Sequence, residues 1–378
     1  MIQIAAMDLA QLYVALRFLA GLRRCQPVRT ALAVTSEAAR RIAEREAGPG
    51  DRVVDFPPDL DTDPPESLVV IGNALPFDLI RLASTREIPV SWIGVEINRG
   101  DFATWAQSPE FRGLHEAFSL ICLRTEEQRE RLLTLGFPGE CIHAVGCVKY
   151  DTAEPQEGAG PRAAALLEAA GMGRRRPVLL GGSVWKGEDT VLLDLLSRLR
   201  PRFPGLCLVL APVLMQDAPH IESEALRLGL HPVRRSRLPA EHPADVLLLD
   251  SVGDLRDLYS QADAVFLGRS LTHRPGANLA EPAAQGRAVV VGPHMEHFAE
   301  VLEDFRAADA VVQVADVAGL GAAVERLLAS PEARAELGRR AREVVSRSSG
   351  ALERTLDLFN SAGVPSTLWE RSRSRPGS

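Results

Sequence analysis

The sequence lacks the features that mark a membrane-spanning, secreted or nucleic-acid-binding protein. No apolar run approaches the roughly 18 residues that a membrane-spanning helix needs. The apolar N-terminal stretch has no basic region before it and is interrupted at Asp8, which argues against a signal peptide. The five cysteines are odd in number and show no Cys-x-x-Cys spacing, as expected for reduced thiols. The net charge of −7 argues against a nucleic-acid partner. We therefore expect a cytoplasmic protein.

Lysine is almost absent. The sequence has two lysines, Lys149 and Lys186, and its other cationic residues are arginines. Metal-binding patterns are equally scarce. Asp61 and Asp63 form an Asp-x-Asp pattern, but prolines flank it, and an acidic surface loop is the simpler interpretation. We expect no metal site.

Short β-branched segments alternate with helical periodicity along the whole chain, the pattern of α/β domains with parallel sheets. The segment 151–165 is rich in Pro, Gly and Ala and predicts a linker between domains 1–150 and 166–345. Residues 346–378 predict a C-terminal helix followed by a disordered tail. Because doubly wound sheets bind ligands at the carboxyl ends of their strands, the loops after the strands are the candidate sites.

Asp8 directly follows the first predicted strand and begins the first predicted helix. A carboxylate at that point is placed to act as a general base on a substrate at the edge of the sheet. An aspartate in the first turn of a helix is also common without any catalytic role, so both interpretations stand.

Three loops of the second domain share one pattern, in which a strand runs into a glycine-containing turn and a helix begins. Glycine lets the backbone approach a ligand, and a helix N-terminus presents free N–H groups to an anion. Each loop also has an ordinary interpretation as a tight turn, and Asn278 with Glu281 fits a variant capping box. Together they favour a nucleotide site, with Glu281 accepting from the ribose hydroxyls. The candidate residues are Gly182, Ser183, Lys186, Gly253, Asp254, Arg274, Gly276, Asn278 and Glu281.

Six segments, in order, resemble the Kdo (3-deoxy-manno-octulosonic acid) transferases of lipopolysaccharide synthesis. That family usually reads close to GxLKFD, GSTHEGEE, DTMGEL, FVGGSL, GGHNPLE and GPHxxNF. This chain has "VGCVKYD", "GGSVWKGED", "DSVGDL", "FLGRSL", "PGANLAEP" and "GPHMEHF" at the corresponding places. The resemblance implies a GT-B fold, two Rossmann-like doubly wound domains that face a central cleft. It also implies transfer of Kdo from CMP-Kdo to a lipid A precursor.

The resemblance assigns several residues to the donor site. Lys149 and Ser183 fall on the family's lysine and serine, and Asn278 and Glu281 fall on the Asn and Glu of its nucleotide-binding turn. Gly253 and Asp254 lie on the family's Gly-Glu, whereas Lys186 replaces a glutamate.

The N-terminal half departs more from the family. The SVGE motif with the catalytic glutamate corresponds to "AAMD", which leaves Asp8 in place of the glutamate. The ETELWP motif becomes "GNALPFD" without its glutamates, and NARLS becomes "GVEINRG". The donor-site arginine of the family's PRHPERF segment is Val213 or a neighbour. We expect no counterpart of the family's membrane-associating N-terminal segment and at most a peripheral membrane contact, at the basic segment 22–29.

These observations lead to one hypothesis with two alternatives. The hypothesis is an inverting, metal-independent glycosyltransferase with a CMP-linked donor, a hydroxyl acceptor and no further cofactor, in which Asp8 is the base. Lys149, Lys186 and Arg274 would neutralise the sugar carboxylate or the leaving phosphate. One alternative is a transferase with another nucleotide-sugar and a soluble acceptor. The other is a catalytically degenerate nucleotide-binding homologue. The sequence does not determine the acceptor or the oligomeric state.

Overall fold

A computed structural model describes residues 1–25, 28–48, 50–97, 99–153, 158–173, 177–272 and 276–363. The chain divides into two units: the first contains Met1–Thr152 together with the residues from Ser348 onward, and the second is Ala153–Arg347.

The first unit contains a seven-stranded parallel sheet with the order β3-β2-β1-β4-β5-β6-β7. Its central strands β1 and β4 are buried at every residue, as expected for a parallel sheet covered on both faces. The strands are β1 (Ile2–Ala6), β2 (Thr30–Val34), β3 (Asp51–Asp55), β4 (Ser67–Ile71), β5 (Val90–Val95), β6 (Phe118–Leu123) and β7 (Ile142–Ala144).

The helices of this unit form where apolar residues recur at helical spacing behind a cap. In the second helix, Ser36 accepts a hydrogen bond from the N–H of Ala39, and Ala39, Ile42 and Ala43 are buried. The helices are α1 (Leu9–Cys25), α2 (Glu37–Glu46), α3 (Phe77–Thr85), α4 (Arg99–Gln107), α5 (Pro109–Arg112), α6 (Glu126–Thr134) and α7 (Val148–Ala153).

The second unit contains another seven-stranded parallel sheet, with the order β10-β11-β9-β8-β12-β13-β14. Its strands are β8 (Val178–Val184), β9 (Cys207–Pro212), β10 (Pro232–Arg234), β11 (Val246–Leu248), β12 (Ala264–Leu267), β13 (Val289–Val291) and β14 (Val312–Gln313). Its helices are α8 (Ala159–Ala169), α9 (Glu188–Leu199), α10 (Ala218–Arg227), α11 (Leu255–Leu258), α12 (Ala280–Ala284), α13 (Ala299–Ala307), α14 (Val317–Ala329) and α15 (Pro331–Arg347).

The segment predicted as a linker, 151–165, is largely helical in the structure. Its start belongs to α7, and α8 begins at Ala159. The helix forms because Ala159, Ala163 and Leu167 recur every four residues and are buried. Residues 154–157 lie outside the described residues. The division between the two units, after Thr152, falls within this segment, and its helical part follows an apolar spacing that the Pro, Gly and Ala content alone does not show.

The C-terminal helix α16 (Ala351–Leu358) belongs to the first unit. The Asp151 carboxylate accepts hydrogen bonds from the N–H groups of Gly350 (2.6 Å) and Leu352 (2.7 Å), at the start of this helix. Phe18 of α1 meets Phe359 edge to face, with ring centroids 5.3 Å apart. The predicted tail, 364–378, lies outside the described residues.

Both sheets follow a doubly wound order, which confirms the predicted α/β class with two Rossmann-like units. The chain winds outward from β1 to β3 and then continues on the other side at β4. In the second sheet it runs outward from β8 through β9 to the edge strand β10, returns to place β11 between β9 and β10, and continues on the other side at β12. The switch points are therefore β1/β4 and β8/β12. Within the described part of the chain, no helix has both the length and the hydropathy of a membrane span.

Candidate functional site

Asp8 lies at the carboxyl end of β1, beside the first switch point. Its Oδ1 accepts a hydrogen bond from the N–H of Gln11 (2.8 Å), and the Gln11 side chain accepts one from the N–H of Met7 (2.8 Å). The Asp8 carboxylate thus caps α1, and the Gln11 side chain holds the residue before the cap in place of the reciprocal bond of a standard capping box. Asp8 is exposed, and the helix N-terminus favours its negative charge. The carboxylate is thus a helix cap and is also accessible where doubly wound sheets bind ligands.

Lys149, predicted to bind the donor, forms an ion pair within the first unit. Its Nζ lies 3.1 Å from Oε2 of Glu96, and the Cys147 thiol donates to Oε1 of Glu96 at 2.9 Å. The Glu96 and Lys149 side chains are only 13% and 27% exposed. We refer to Asp8, Asn73, Glu96 and Lys149, which follow β1, β4, β5 and β7, as the Asp8 edge.

Burial and charge pairing act in opposite directions at this edge. Burial alone would raise the pKa of Glu96, but Lys149, Cys147 and Arg124 outweigh it and hold that pKa below its usual value. Burial alone would lower the pKa of Lys149, but the charge of Glu96 raises it, with smaller contributions from Cys147 and Asp8. Both members of the pair are therefore charged at neutral pH.

A cavity of about 360 Å³ lies next to this edge. Met7, which precedes Asp8 in the chain, forms part of its wall. Aromatic rings and prolines supply the apolar part of the lining, and three charged side chains complete it. The lining residues are Met7, Phe56, Pro57, Pro76, Phe77, Asp78, Leu79, Arg81 and Glu110.

In the second unit, a buried glutamate connects the loops at the β8/β12 switch point. Oε2 of Glu188 accepts hydrogen bonds from the N–H groups of Trp185 (2.8 Å) and Arg269 (2.7 Å). Oε1 accepts one from the N–H of Leu271 (2.9 Å). Glu188 is 0% exposed. We refer to Glu188, Ser183 and the loop 268–271 as the Glu188 edge.

The predicted donor residue Ser183 lies on this edge with an uncommon backbone conformation. Its φ is +55°, and Arg269 at the end of the neighbouring strand has a φ of +58°. Non-glycine residues rarely adopt this region, and such outliers cluster at ligand sites. The hydrogen bonds of the Glu188 carboxylate to the loop after β8 and to the loop after β12 hold these two turns in place.

Gly182 and Glu281, two further predicted residues, are gathered around the buried Tyr259. A Cβ on Gly182 would lie 2.5 Å from the Tyr259 hydroxyl oxygen, so only glycine fits there. Burial raises the pKa of Glu281, and the nearby Arg256 only partly offsets this. Burial and the charge of Glu281 raise the pKa of Tyr259.

The predicted capping box at Asn278 and Glu281 is wrong in its details. Helix α12 begins at Ala280 with Leu279 at its N-cap position, and the Asn278 side chain accepts from the N–H of Ala280 (3.0 Å). Glu281 is therefore the second residue of the helix, one position too early for the reciprocal bond. Its environment is Arg256 and Tyr259 instead.

The other predicted donor residues are more scattered. A Cβ on Gly276 would lie 2.5 Å from Sδ of Met295, so close packing accounts for this glycine. Lys186 is exposed, with Nζ 3.9 Å from Asp217. Arg274 lies outside the described residues.

Gly253 and Asp254 follow β11, which stands two strands away from β8. Gly253 has a φ of +117°, which only glycine adopts readily. The Asp254 carboxylate accepts from Arg235 (2.9 Å) and Ser251 (3.3 Å), and it does not cap α11.

Neither Glu96 nor Glu188 was among the predicted site residues. The sequence does contain a signal for each residue. Glu96 immediately follows the apolar strand β5, and Glu188 stands at the start of a helix whose apolar residues are buried. Asp61 and Asp63 pair with Arg86 and Arg52 respectively. Among the residues that the structure describes, no three His, Cys, Asp or Glu side chains group as metal ligands do.

Comparison with known proteins agrees with the fold. The Anabaena protein HepE, solved in complex with UDP and glucose, superimposes with a TM-score of 0.61 and covers 96% of this chain and 99% of its own, at 11% identity. A putative UDP-N-acetylglucosamine 2-epimerase from Listeria monocytogenes has a TM-score of 0.64 at 12% identity, covering 98% of this chain and 96% of its own. At these identities the likeness concerns the fold alone.

Sequence comparison shows similarity to one family of enzymes. Residues 4–152 match the family profile described as 3-deoxy-D-manno-octulosonic-acid transferase (kdotransferase). The enzyme of that name from Haemophilus influenzae is 29% identical over 304 residues, covering 78% of this chain and 69% of the relative. The enzyme of the same name from Bordetella pertussis is 29% identical over 294 residues, covering 75% of this chain and 66% of the relative. The chain thus spans about two thirds of the length of these relatives, and over most of its own length it is similar to 3-deoxy-D-manno-octulosonic acid transferases.

Proposed function

We propose that this protein is a glycosyltransferase of lipopolysaccharide synthesis that moves a Kdo-like ulosonic acid from a CMP-activated donor to an acceptor hydroxyl. The observation that carries the proposal is the Asp8 carboxylate at the first switch point, which is exposed and is oriented by its bond to the N–H of Gln11 at the start of α1. Similarity to the Kdo transferases supports the choice of donor and reaction. The proposed place of action is the cytoplasmic side of the membrane.

In the proposed reaction, Asp8 removes the proton from the acceptor hydroxyl as the acceptor oxygen attacks the anomeric carbon of the donor. The bond from that carbon to the phosphate oxygen breaks, and CMP leaves with the bonding electrons. A single displacement from the face opposite the phosphate inverts the configuration. Metal independence is part of the proposal, with arginine and lysine cations neutralising the phosphate.

The Glu188 edge is the proposed donor site. Besides Ser183, near the end of β8, the proposed site includes Gly253 after β11, and Asn278 and Glu281 at the start of α12. The N–H groups of Trp185, Arg269 and Leu271 already donate to the Glu188 carboxylate. The CMP-activated sugar is therefore proposed to contact other groups of these loops.

The cavity beside Met7 is the proposed acceptor subsite. Its aromatic and proline lining suits the apolar face of a sugar ring, and its charged residues suit hydroxyl groups. Its position one residue from Asp8 would bring an acceptor hydroxyl to the base.

Binding without metal is the first test. In calorimetric titrations with EDTA present, we expect CMP to bind more tightly than UDP. Tighter binding of UDP would instead indicate a transferase with a different donor. No binding of either nucleotide would favour the degenerate homologue.

The second test is Asp8→Ala, assayed by CMP release from a CMP-ulosonic acid with a lipid A precursor as acceptor. We expect turnover to fall at least about 100-fold because the base is lost, while CMP affinity stays unchanged. The matched control is Asp316→Ala, because Asp316 caps α14 through the N–H of Gly319 (2.8 Å) in the second unit. If both variants lose activity equally, the effect reflects a lost helix cap and the base assignment fails.

A further inference from the structure

Arg269 lies in the loop after β12, at the β8/β12 switch point, and was not among the predicted site residues. We propose that its guanidinium group binds the phosphate of the nucleotide at the Glu188 edge. The inference rests on the proposed function, because it names the side chain that holds the phosphate of a nucleotide-activated donor.

Two backbone hydrogen bonds fix the position of Arg269. Its N–H donates to Oε2 of Glu188 (2.7 Å), and its carbonyl accepts from the N–H of Gly276 (2.8 Å). The preceding residue is held as closely, because a Cβ on Gly268 would lie 2.6 Å from the carbonyl oxygen of Ser183. The Arg269 side chain therefore starts one residue away from a close contact with Ser183, a predicted donor residue.

The backbone conformation of Arg269 indicates that its side chain has a purpose. Its φ is +58°, a region that glycine adopts freely and that a residue with a Cβ adopts at a cost in free energy. In the segment that corresponds to FVGGSL, Arg269 stands at the second glycine. A glycine would satisfy the turn, so the reason for an arginine lies in its side chain.

The same loop contains polar atoms that are buried and unused. Within the described residues, Nε of Arg269 and Oγ1 of Thr272 are buried and have no hydrogen-bond partner. Buried polar groups are nearly always paired, and leaving one unpaired costs free energy that a ligand can recover. A guanidinium presents a planar fork of N–H groups that matches the oxygens of a phosphate. The loop after β12 thus offers unused donors to such a ligand.

The charges of the neighbouring loops also favour Arg269. Both oxygens of Glu188 accept hydrogen bonds, as those of an ionised carboxylate do, and this negative charge opposes a phosphate unless a cation compensates it. Among the described residues of the loops after β8, β9 and β12, the Lys and Arg side chains are Lys186 and Arg269. Nζ of Lys186 lies 3.9 Å from a carboxylate oxygen of Asp217, which already compensates part of its charge. Arg269 is therefore the cation that is left for the phosphate.

Arg269→Gly tests the proposal in calorimetric titrations with CMP and with cytidine, which lacks the phosphate. We expect the affinity for CMP to fall about 10- to 100-fold, because charge-assisted hydrogen bonds are lost, and the affinity for cytidine to stay unchanged. Arg269→Lys keeps the charge without the planar fork and should lose less CMP affinity than the glycine variant. An unchanged CMP affinity in Arg269→Gly, or an equal loss for CMP and cytidine, would overturn the proposal.

The glycine variant also separates binding from folding. Glycine suits a φ of +58° and keeps the N–H that donates to Glu188, so we expect the midpoint of thermal unfolding not to fall. The matched control is Asp309→Gly, because Asp309 is an exposed residue of the same unit with a φ of +47°. It should keep the CMP affinity of the wild-type protein. If it loses as much affinity as Arg269→Gly, the added glycine is responsible and the role of the guanidinium is refuted.

The nucleotide titrations distinguish failure of this inference from failure of the proposed function. A wild-type protein that binds neither CMP nor UDP contradicts both. If the wild-type protein binds CMP and Arg269→Gly binds it equally well, the inference alone is wrong. If the wild-type protein prefers UDP, the CMP-linked donor is wrong, and titrations of the same variants with UDP and uridine test Arg269 independently.

Discussion

A glutamate with little exposure lies at the carboxyl edge of each sheet, but different groups satisfy the two carboxylates. Glu188 accepts from three backbone N–H groups, two of them in the loop after β12. Glu96 is satisfied by the side chains of Lys149 and Cys147. A carboxylate bound to backbone determines the shape of the loops, whereas a carboxylate bound to a cation determines the local charge. Substitutions at the two edges should therefore fail in different ways.

The largest effect is expected at Glu188. In Glu188→Gln, an NH₂ group replaces one carboxylate oxygen, so at least one buried N–H of Trp185, Arg269 or Leu271 loses its acceptor. We expect a loss of roughly 2–4 kcal/mol in unfolding free energy and faster hydrogen exchange at the amides of 269 and 271. Urea denaturation and exchange mass spectrometry measure these quantities.

The control for Glu188 is Glu332→Gln, because Glu332 is an exposed glutamate in the first turn of α15. It should cost less than about 1 kcal/mol. Equal losses in the two variants would contradict the view that Glu188 cross-links the loops.

An intermediate effect is expected at Gly182, where packing and ligand approach are competing explanations. In Gly182→Ala, the new Cβ would lie 2.5 Å from the Tyr259 hydroxyl oxygen, and overpacking should cost about 1–3 kcal/mol. Removing that hydroxyl in Gly182→Ala/Tyr259→Phe should recover most of the stability, as thermal denaturation can show. If the double variant regains stability but not CMP affinity, Gly182 serves the ligand as well as the fold.

The smallest effect is a difference in pH dependence between the two units. The lowered pKa of Glu96 means that the unfolded chain binds more protons, so its contribution to stability is lost as pH falls through the folded-state pKa. The raised pKa of Glu281 has the opposite sign: its contribution is present at low pH and is lost as pH rises from the unfolded value toward the folded one.

Glu281→Gln should therefore gain stability relative to the wild-type protein as pH increases from about 4 to about 8. Urea midpoints across this range measure the difference, with Glu332→Gln again as the control. A gain that is independent of pH would mean that the carboxyl group of Glu281 does not titrate in this range.

The periodic pattern of the sequence was a good guide to the buried strands and a poor guide to short elements. The apolar runs "PVLLGGS" and "LCLVLAP" coincide with β8 and β9, because buried parallel strands are nearly continuous apolar runs. The strands β10 and β14, of three and two residues, carry no such run and were not predicted. Helices α4 and α5 were missed as well, in a segment that has little apolar periodicity.

The candidate site was predictable only where a residue's role depends on its immediate neighbours. Asp8 could be placed at a strand end and a helix start because both lie within a few residues of it. Glu188 receives bonds from residues 81 and 83 positions away, and Lys149 pairs with a carboxylate 53 positions away. Contacts at such separation leave no periodic signal in a single sequence.

The sequence by itself determined the α/β class, the resemblance to the Kdo transferases and the position of Asp8 at the start of α1. These follow from apolar periodicity, motif order and local capping chemistry, all of which act over short stretches of chain. Only the tertiary structure decided that Glu188 joins two loops, that Gly182 faces Tyr259 and that Lys149 pairs with Glu96. The physical reason is that sheet order brings strand ends together irrespective of their separation along the chain, and burial then makes each unsatisfied polar group costly enough to select its partner.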